Sequence, residues 1–195
     1  MPSLVGPALT ENKFLAVSQP RITIDDQWVL RPWRPDDAPL VVEAFADSDI
    51  QRWNMHRMDD PGEAREWIEQ WSTGWKAGDD AGWAVAHASD DTAAGHIALR
   101  AIRLRHARAE LSGWGVPSAR GMSMGAKATE ALSRWAFDEL GLHRLFLLHS
   151  VKNPASCRVA INGGYRLEGT IRGYLLHADG WHDMHMHARL SNDTA

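Results

Sequence analysis

Cysteine is almost absent: Cys157 stands alone in 195 residues. A single thiol excludes an intramolecular disulfide and any site built from several cysteines. Long apolar runs are missing too, with nothing near the roughly 20 consecutive apolar residues of a membrane span. The first twenty residues carry one lysine and no extended apolar stretch, which argues against a secretory leader. Charge of one sign is scarce, since 21 Lys and Arg against 25 Asp and Glu leave a net −4. That balance speaks against a nucleic-acid or membrane partner, and a cytoplasmic protein is the expectation that remains. Internal repeats and low-complexity tracts are lacking. Tyrosine and phenylalanine are few, at 2 and 4, whereas tryptophan numbers 10. Trp combines a large apolar area with one N–H that wants a partner, which suits core and cleft walls.

The length fits one compact α/β domain, able to bury roughly 70% of its unfolded surface without disulfides or metal. Residues 1–20 mix Pro, Gly and Ser without a period and read as an extended arm. The single domain is expected over 21–195. It opens with a hairpin-like pair of extended segments in RITI-DDQ-WVLRPW, and Pro35-Asp36-Asp37 signals a helix. A second helix begins near Asp60-Pro61, where Ala64, Trp67, Ile68, Trp71 and Trp75 form one stripe. Strands are expected at 82–87, 95–102 and 107–116, a long helix at 124–140 stopped by Gly141, and a strand at 143–151. Asn153-Pro154 caps a short helix before Gly163-Gly164, and strands near 166–176 and 181–190 close the chain. The order predicts a mixed α/β fold with a largely antiparallel central sheet flanked by helices.

The stretch from Ala107 to Leu140 carries the most chemistry. A strand ends at Val116, a Gly-rich turn holds Arg120, and a long helix starts at once. Unpartnered amides and the helix dipole make such a junction an anion site, though many helices begin this way for purely structural reasons. Its spacing, R-x-x-S-x-G, is neither a Walker loop nor a dinucleotide fingerprint.

R-x-x-S-x-G resembles the Q/R-x-x-G-x-G/A pyrophosphate loop of the GNAT acyl-CoA N-acyltransferases. AELSGWGVPSARG, FDELGLHRL, VKNPASCRVAINGGYRLEGTIR and GWHDMHMHARL resemble, in order, successive segments of the RimJ/RimL-type branch, the ribosomal-protein N-terminal acetyltransferases. The similarity spans about Arg21 to Leu190. It implies a GNAT-like fold and an acyl-CoA-dependent N-acetyltransferase that uses acetyl-CoA as co-substrate. It assigns the diphosphate to Arg120, Gly121, Met122, Ser123, Met124, Gly125 and Ala126. Trp114, Gly115 and Val116 would meet the pantetheine and supply an N–H to the thioester carbonyl. Asn153 would bond the pantetheine, Ser156 would lie by the sulfur as a general acid, and Glu110 would be the base. Ser123 departs from the usual Gly, and a positive φ there would cost about 1–2 kcal/mol.

Each residue also has a plainer reading: Glu110 as a solvated strand residue, Asn153 as a helix cap, Ser156 as a solvated first-turn serine, and Cys157 as a small buried hydrophobe. Trp53, His56 and Trp75 are candidates for the wall around the acceptor, or simply core. Asp183, His185 and His187 share one face of a strand, but such neighbours splay apart and no separated fourth ligand is evident, so no metal is expected. The acceptor is expected to be a primary amine, on a peptide or protein N-terminus or on a small molecule. A catalytically weak acyl-CoA sensor or partner subunit is the alternative, and a homodimer is compatible with the pattern.

Overall fold

A computed structural model describes residues 4–10 and 18–193. Eight strands form one sheet: β1 (Ile22–Thr23), β2 (Trp28–Pro32), β3 (Ala81–His87), β4 (Ala93–Arg103), β5 (Arg108–Gly115), β6 (Arg144–Ser150), β7 (Arg166–His177) and β8 (Gly180–Leu190). Their spatial order is β1-β2-β3-β4-β5-β6-β8-β7. The helices are α1 (Ala38–Ala46), α2 (Ser48–Asn54), α3 (Pro61–Ala77), α4 (Met124–Asp138) and α5 (Pro154–Asn162). The mixed α/β, mostly antiparallel architecture is the expected one. No described helix is long and apolar enough to cross a membrane.

Local chemistry sets the helix ends. Asp60 accepts from the amides of Gly62 and Glu63 at the start of α3, with Pro61 at the first helical position. Gly78, at φ 75°, ends it. Helix α4 stops two residues earlier than expected, and Gly141 takes φ 76° while Leu142 N–H returns to the Ala136 carbonyl at 2.9 Å. Helix α2 is absent from the sequence reading. Asp47 caps it by accepting from Ile50 N–H, but Ile50 is its only buried residue, so no apolar stripe announces it. Of the arm expected at the N-terminus, 1–3 and 11–17 lie outside the described residues. Ala8 and Leu9 donate to the carbonyls of Arg105 and Leu104, and Pro20 accepts from Trp83 Nε1.

β5 and β6 are the one parallel pair among the described strands, and they are in register only at Arg108↔Arg144, Ala109↔Leu145 and Glu110↔Phe146. Beyond Glu110 the strands part. β5 stays with β4 as far as Gly115↔Gly95, and β6 stays with β8 as far as Ser150↔Met184. A wedge therefore opens in the middle of the sheet.

The aromatic excess is concentrated on the sheet face under α1 and α3. His96 of β4 is 5% exposed and lies 4.6–5.9 Å, ring centre to ring centre, from Trp71, Trp67, Trp114 and Trp33. Trp33 Nε1, which can only donate, bonds His96 Nδ1 at 3.1 Å, so the ring is neutral with its proton on Nε2. Burial holds its pKa down at about 3. The unfolded chain therefore binds this proton more tightly than the folded one. The contribution of neutral His96 is complete above pH 6.5 and is lost as pH falls from there toward 3, by on the order of 4 kcal/mol. Urea unfolding from pH 7 to pH 4 should show this slope, and His96→Asn should flatten it. An equal slope in both proteins would assign acid sensitivity to other groups.

Candidate active site

The wedge is bounded by backbone on one side. Val116 N–H donates to the Ala94 carbonyl at 3.0 Å, so it is committed to β4. In an antiparallel ladder successive amides point to opposite sides, which turns the N–H groups of Gly113 and Gly115 toward the opening. Within the expected run Trp114 to Val116, Gly115 is thus the residue with a donor on the wedge side. Trp114 contributes backbone there, while its ring packs against Trp33, Phe45 and Trp67. The strand is glycine-rich because space is short: a Cβ on Gly113 would stand 2.6 Å from the His96 carbonyl oxygen, and one on Gly115 would stand 2.6 Å from Met124 Cε.

At the wide end of the wedge, residues 120–126 turn into α4. Gly121 has φ 80° with open space where a Cβ would sit. Ser123 takes φ 56°, the left-handed conformation that glycine adopts without cost, and makes no side-chain cap. Met124 is buried, while Met122 is exposed. Gly125 leaves room for Val159 of α5, whose Cγ2 would be 3.2 Å from a Cβ there, and Ala126 follows in the first turn. The first amides of α4 thus face outward without a side-chain acceptor, a donor set that fits the diphosphate of a nucleotide-bearing thioester. The Arg120 guanidinium is already engaged. It bonds Asp47 at 2.6 Å and Asp49 at 3.2 Å, tying this loop to the start of α2.

Glu110 sits at the vertex, the last residue before the strands diverge. Burial raises its pKa above 4.5, opposed by Arg100, its cross-strand partner on β4, and assisted by Asp80. Parallel register places Glu110, Ser112 and Trp114 on the same sheet face as Phe146, Leu148 and Ser150. That face carries a second polar group, unforeseen from sequence. The Asp179 carboxylate can only accept, so His182 Nε2–H donates to it at 2.6 Å. His182 Nδ1 shares a hydrogen bond with Ser150 Oγ at 2.8 Å, and Ser150 Oγ accepts from Lys152 N–H at 3.1 Å. Although partial burial pulls the other way, the bond from His182 and the charge of Lys152 hold Asp179 below its ordinary pKa. His177 stacks on His182 at 4.0 Å and donates from Nδ1 to the Arg52 carbonyl. Its Nε2 is buried without a partner.

Trp53 stands beside this group, 6.1 Å from the His177 ring and 6.4 Å from that of His182. His56 is exposed in the loop after α2. Trp75 lies elsewhere, 7% exposed and packed against Trp83 and Trp135, so of the two readings of this residue the structure supports the core and not the acceptor wall. Asn153 is buried and caps α5, its Oδ1 accepting from Ser156 N–H at 3.1 Å. Ser156 is half-buried in that first turn. The cap uses only the Asn153 oxygen, so the amide group keeps its donors.

The family model of the acetyltransferase (GNAT) domain matches residues 27–166. The chain belongs to the GNAT acetyltransferase family. A curated relative, the uncharacterized N-acetyltransferase YoaA of Bacillus subtilis (strain 168), is 22% identical over 151 residues, covering 77% of this chain and 85% of YoaA. A GNAT acetyltransferase structure from Bacillus anthracis superposes with a TM-score of 0.78 at 21% identity, over 89% of this chain and 99% of that one. RimL, the ribosomal L7/L12 alpha-N-protein acetyltransferase, solved with coenzyme A, gives 0.79 at 19% identity, over 88% of this chain and 98% of RimL.

Within this GNAT domain, Ser123 is the strained point of the loop. Ser123→Gly relieves about 1–2 kcal/mol of backbone strain, less about 0.4–1 kcal/mol for the freer unfolded chain. Urea unfolding should show a net gain of about 1 kcal/mol or less, and calorimetry no loss of acetyl-CoA affinity. Ser123→Val should lose about 1–3 kcal/mol, because a β-branched residue resists positive φ.

Proposed function

We propose that the protein transfers an acyl group, acetyl first of all, from acyl-CoA to a primary amine within a ternary complex. The observation that carries this reading is the wedge that opens immediately after Glu110, with glycine amides along one edge and an uncapped helix start at its wide end. An acyl-CoA with its pantetheine in the wedge would meet the amides of Gly113 and Gly115. Its diphosphate would lie on residues 120–126, and Asn153 and Ser156 would border the sulfur. The neutral amine attacks the thioester carbonyl, and Glu110 accepts the proton that the nitrogen sheds. The Gly115 N–H stabilises the tetrahedral oxyanion. The C–S bond then breaks, and the departing thiolate takes a proton from Ser156 or from water; with a thiol pKa near 8.5, that help is modest.

The acceptor would enter on the face shared by Glu110 and the Ser150–His182–Asp179 group, beside Trp53. The unpartnered His177 Nε2 suits a substrate that brings an N–H. An α-amine, with pKa ~7.8, is about a tenth neutral at pH 7, whereas a lysine near 10.4 is neutral in roughly one molecule in two thousand. A carboxylate base whose pKa is raised by burial serves the first far better. The substrate class proposed is therefore an α-amine, on a peptide or protein N-terminus or an amino-acid-like small molecule.

A free-thiol release assay with acetyl-CoA against amino acids, short peptides and amine antibiotics, paired with acetyl-CoA calorimetry, tests this. Release that depends on α-amines is expected. Release with lysine side chains alone would overturn the acceptor assignment. Tight binding without turnover would favour a second reading, an acyl-CoA sensor, which the left-handed Ser123 makes worth separating.

Glu110→Gln should lower turnover, most severely below pH 8 where the amine is largely protonated. Because burial raises the Glu110 pKa above 4.5, the folded state favours the protonated acid, and its charged form costs stability once pH exceeds both values. At pH 8 the Gln variant should thus be at least as stable as the parent while being slower. An unchanged pH–rate profile would remove Glu110 as the base.

A further inference from the structure

On the sheet face opposite Glu110, side chains from three separate elements meet. His149 of β6, Cys157 of α5, and His185 and His187 of β8 each offer one ligand atom, all within 4.8 Å of one another. His149 and His185 are directly paired across the strands. β8 itself supplies two ligands; the third arrives through the β6 pairing, and the fourth, a thiol, comes from the helix above. Asp183, the remaining acid on that face of β8, is occupied elsewhere by the Gly173 amide at 2.7 Å.

Hydrogen bonding fixes the state of two of these rings. His149 Nδ1 lies 2.8 Å from the Ser150 carbonyl, and His187 Nδ1 lies 3.4 Å from that of Tyr165. A carbonyl cannot donate, so Nδ1 is the donor in each contact, and in the neutral ring Nε2 then presents a lone pair. Those two Nε2 atoms face each other at 3.2 Å. Two lone pairs at that separation repel unless a cation lies against both. The spacing matches one edge of a tetrahedron around zinc, where nitrogens about 2.0–2.1 Å from the ion stand about 3.3 Å apart. His185 adds a buried Nδ1 with no hydrogen-bond partner. The remaining edges, none longer than 4.8 Å, need to contract by at most about 1.5 Å to fit a tetrahedron of zinc–nitrogen and zinc–sulfur lengths, within the range of small side-chain rotations.

We propose that His149, Cys157, His185 and His187 form a four-coordinate zinc site that fastens α5 to the sheet. Four protein ligands leave no open position, which makes the site structural, and the neutral imidazole and thiolate donors select zinc over magnesium or calcium. Zinc binding releases the Cys157 proton to solvent and forms the Zn–S bond, with no change in oxidation state. Because α5 carries Asn153 and Ser156 at its start, the ion would brace the rim of the acyl-CoA cleft from below. The assignment does not rest on the acyl-transfer reading.

The full chain, stripped with a chelator, is titrated with Zn(II) and separately with Co(II). Expected are one equivalent bound, a rise in thermal midpoint with either metal, and for Co(II) a thiolate charge-transfer band with the intense visible bands of four-coordination. Cys157→Ser, a near-isosteric change at a half-buried position, should abolish the charge-transfer band. His185→Ala should weaken binding by at least about 100-fold, the upper end of what loss of a merely supporting group costs. His143→Ala, exposed and outside the cluster, should bind like the parent. Failure of the parent to bind stoichiometric metal at micromolar concentrations would overturn the proposal, as would equal binding and identical spectra in Cys157→Ser and His185→Ala.

Discussion

Three residue pairs of parallel ladder govern this molecule. β5 and β6 hold together from Arg108 to Glu110 and then separate, each retained by its antiparallel neighbour. An amide left unpaired between two strands costs on the order of 1–3 kcal/mol unless water or a ligand satisfies it. The wedge is tolerable because it opens toward solvent and because Gly113 and Gly115 keep its edge narrow. An elongated ligand with its own amides is a natural partner for such an edge. The same divergence places Glu110 at a vertex where burial and access coexist, which is why its carboxyl is raised yet reachable.

Strand alternation then divides the chemistry. Residues of one parity in β5, β6 and β8 gather Glu110, Ser150 and His182 beneath α1 to α3. Those of the other parity gather His149, His185 and His187 beneath α5. One sheet thereby keeps an open, carboxylate-bearing cleft separate from a closed cluster of nitrogen and sulfur donors, although Ser150 and His149 are adjacent in the chain. Arg120 joins neighbouring parts of the cleft by bridging the phosphate-type loop to Asp47 and Asp49. Being exposed, that bridge contributes geometry more than stability.

Much of this was readable before any coordinates. Long, strongly periodic segments such as α3 and α4 declared themselves through apolar stripes and caps, and the sheet strands through alternation and turn residues. The left-handed backbone at Ser123 meets the condition under which the sequence pattern makes a non-glycine residue costly there. Short α2 was not, because a seven-residue helix with one buried side chain has no period to detect. Trp75 misled because a core stripe and a cleft wall share the same spacing. The clusters around His182 and His149 were invisible for a different reason: each depends on cross-strand register and helix docking, which bring together residues far apart in sequence. The β8 histidines alone suggested ligands that diverge. Only the pairing with β6 makes them converge.

The tryptophan cage around His96 has an optical consequence. Trp33, Trp67, Trp71 and Trp114 lie within 5.3–6.1 Å of one another along successive ring contacts, close enough for their excited states to mix. These four indoles come from the segment after β2, from α3 and from β5, so their coupling survives only while the helical layer stays seated on the sheet. The near-ultraviolet circular dichroism of the native protein is thus a built-in gauge of that seating. It would fade when α3 lifts, even if every helix and strand remained intact.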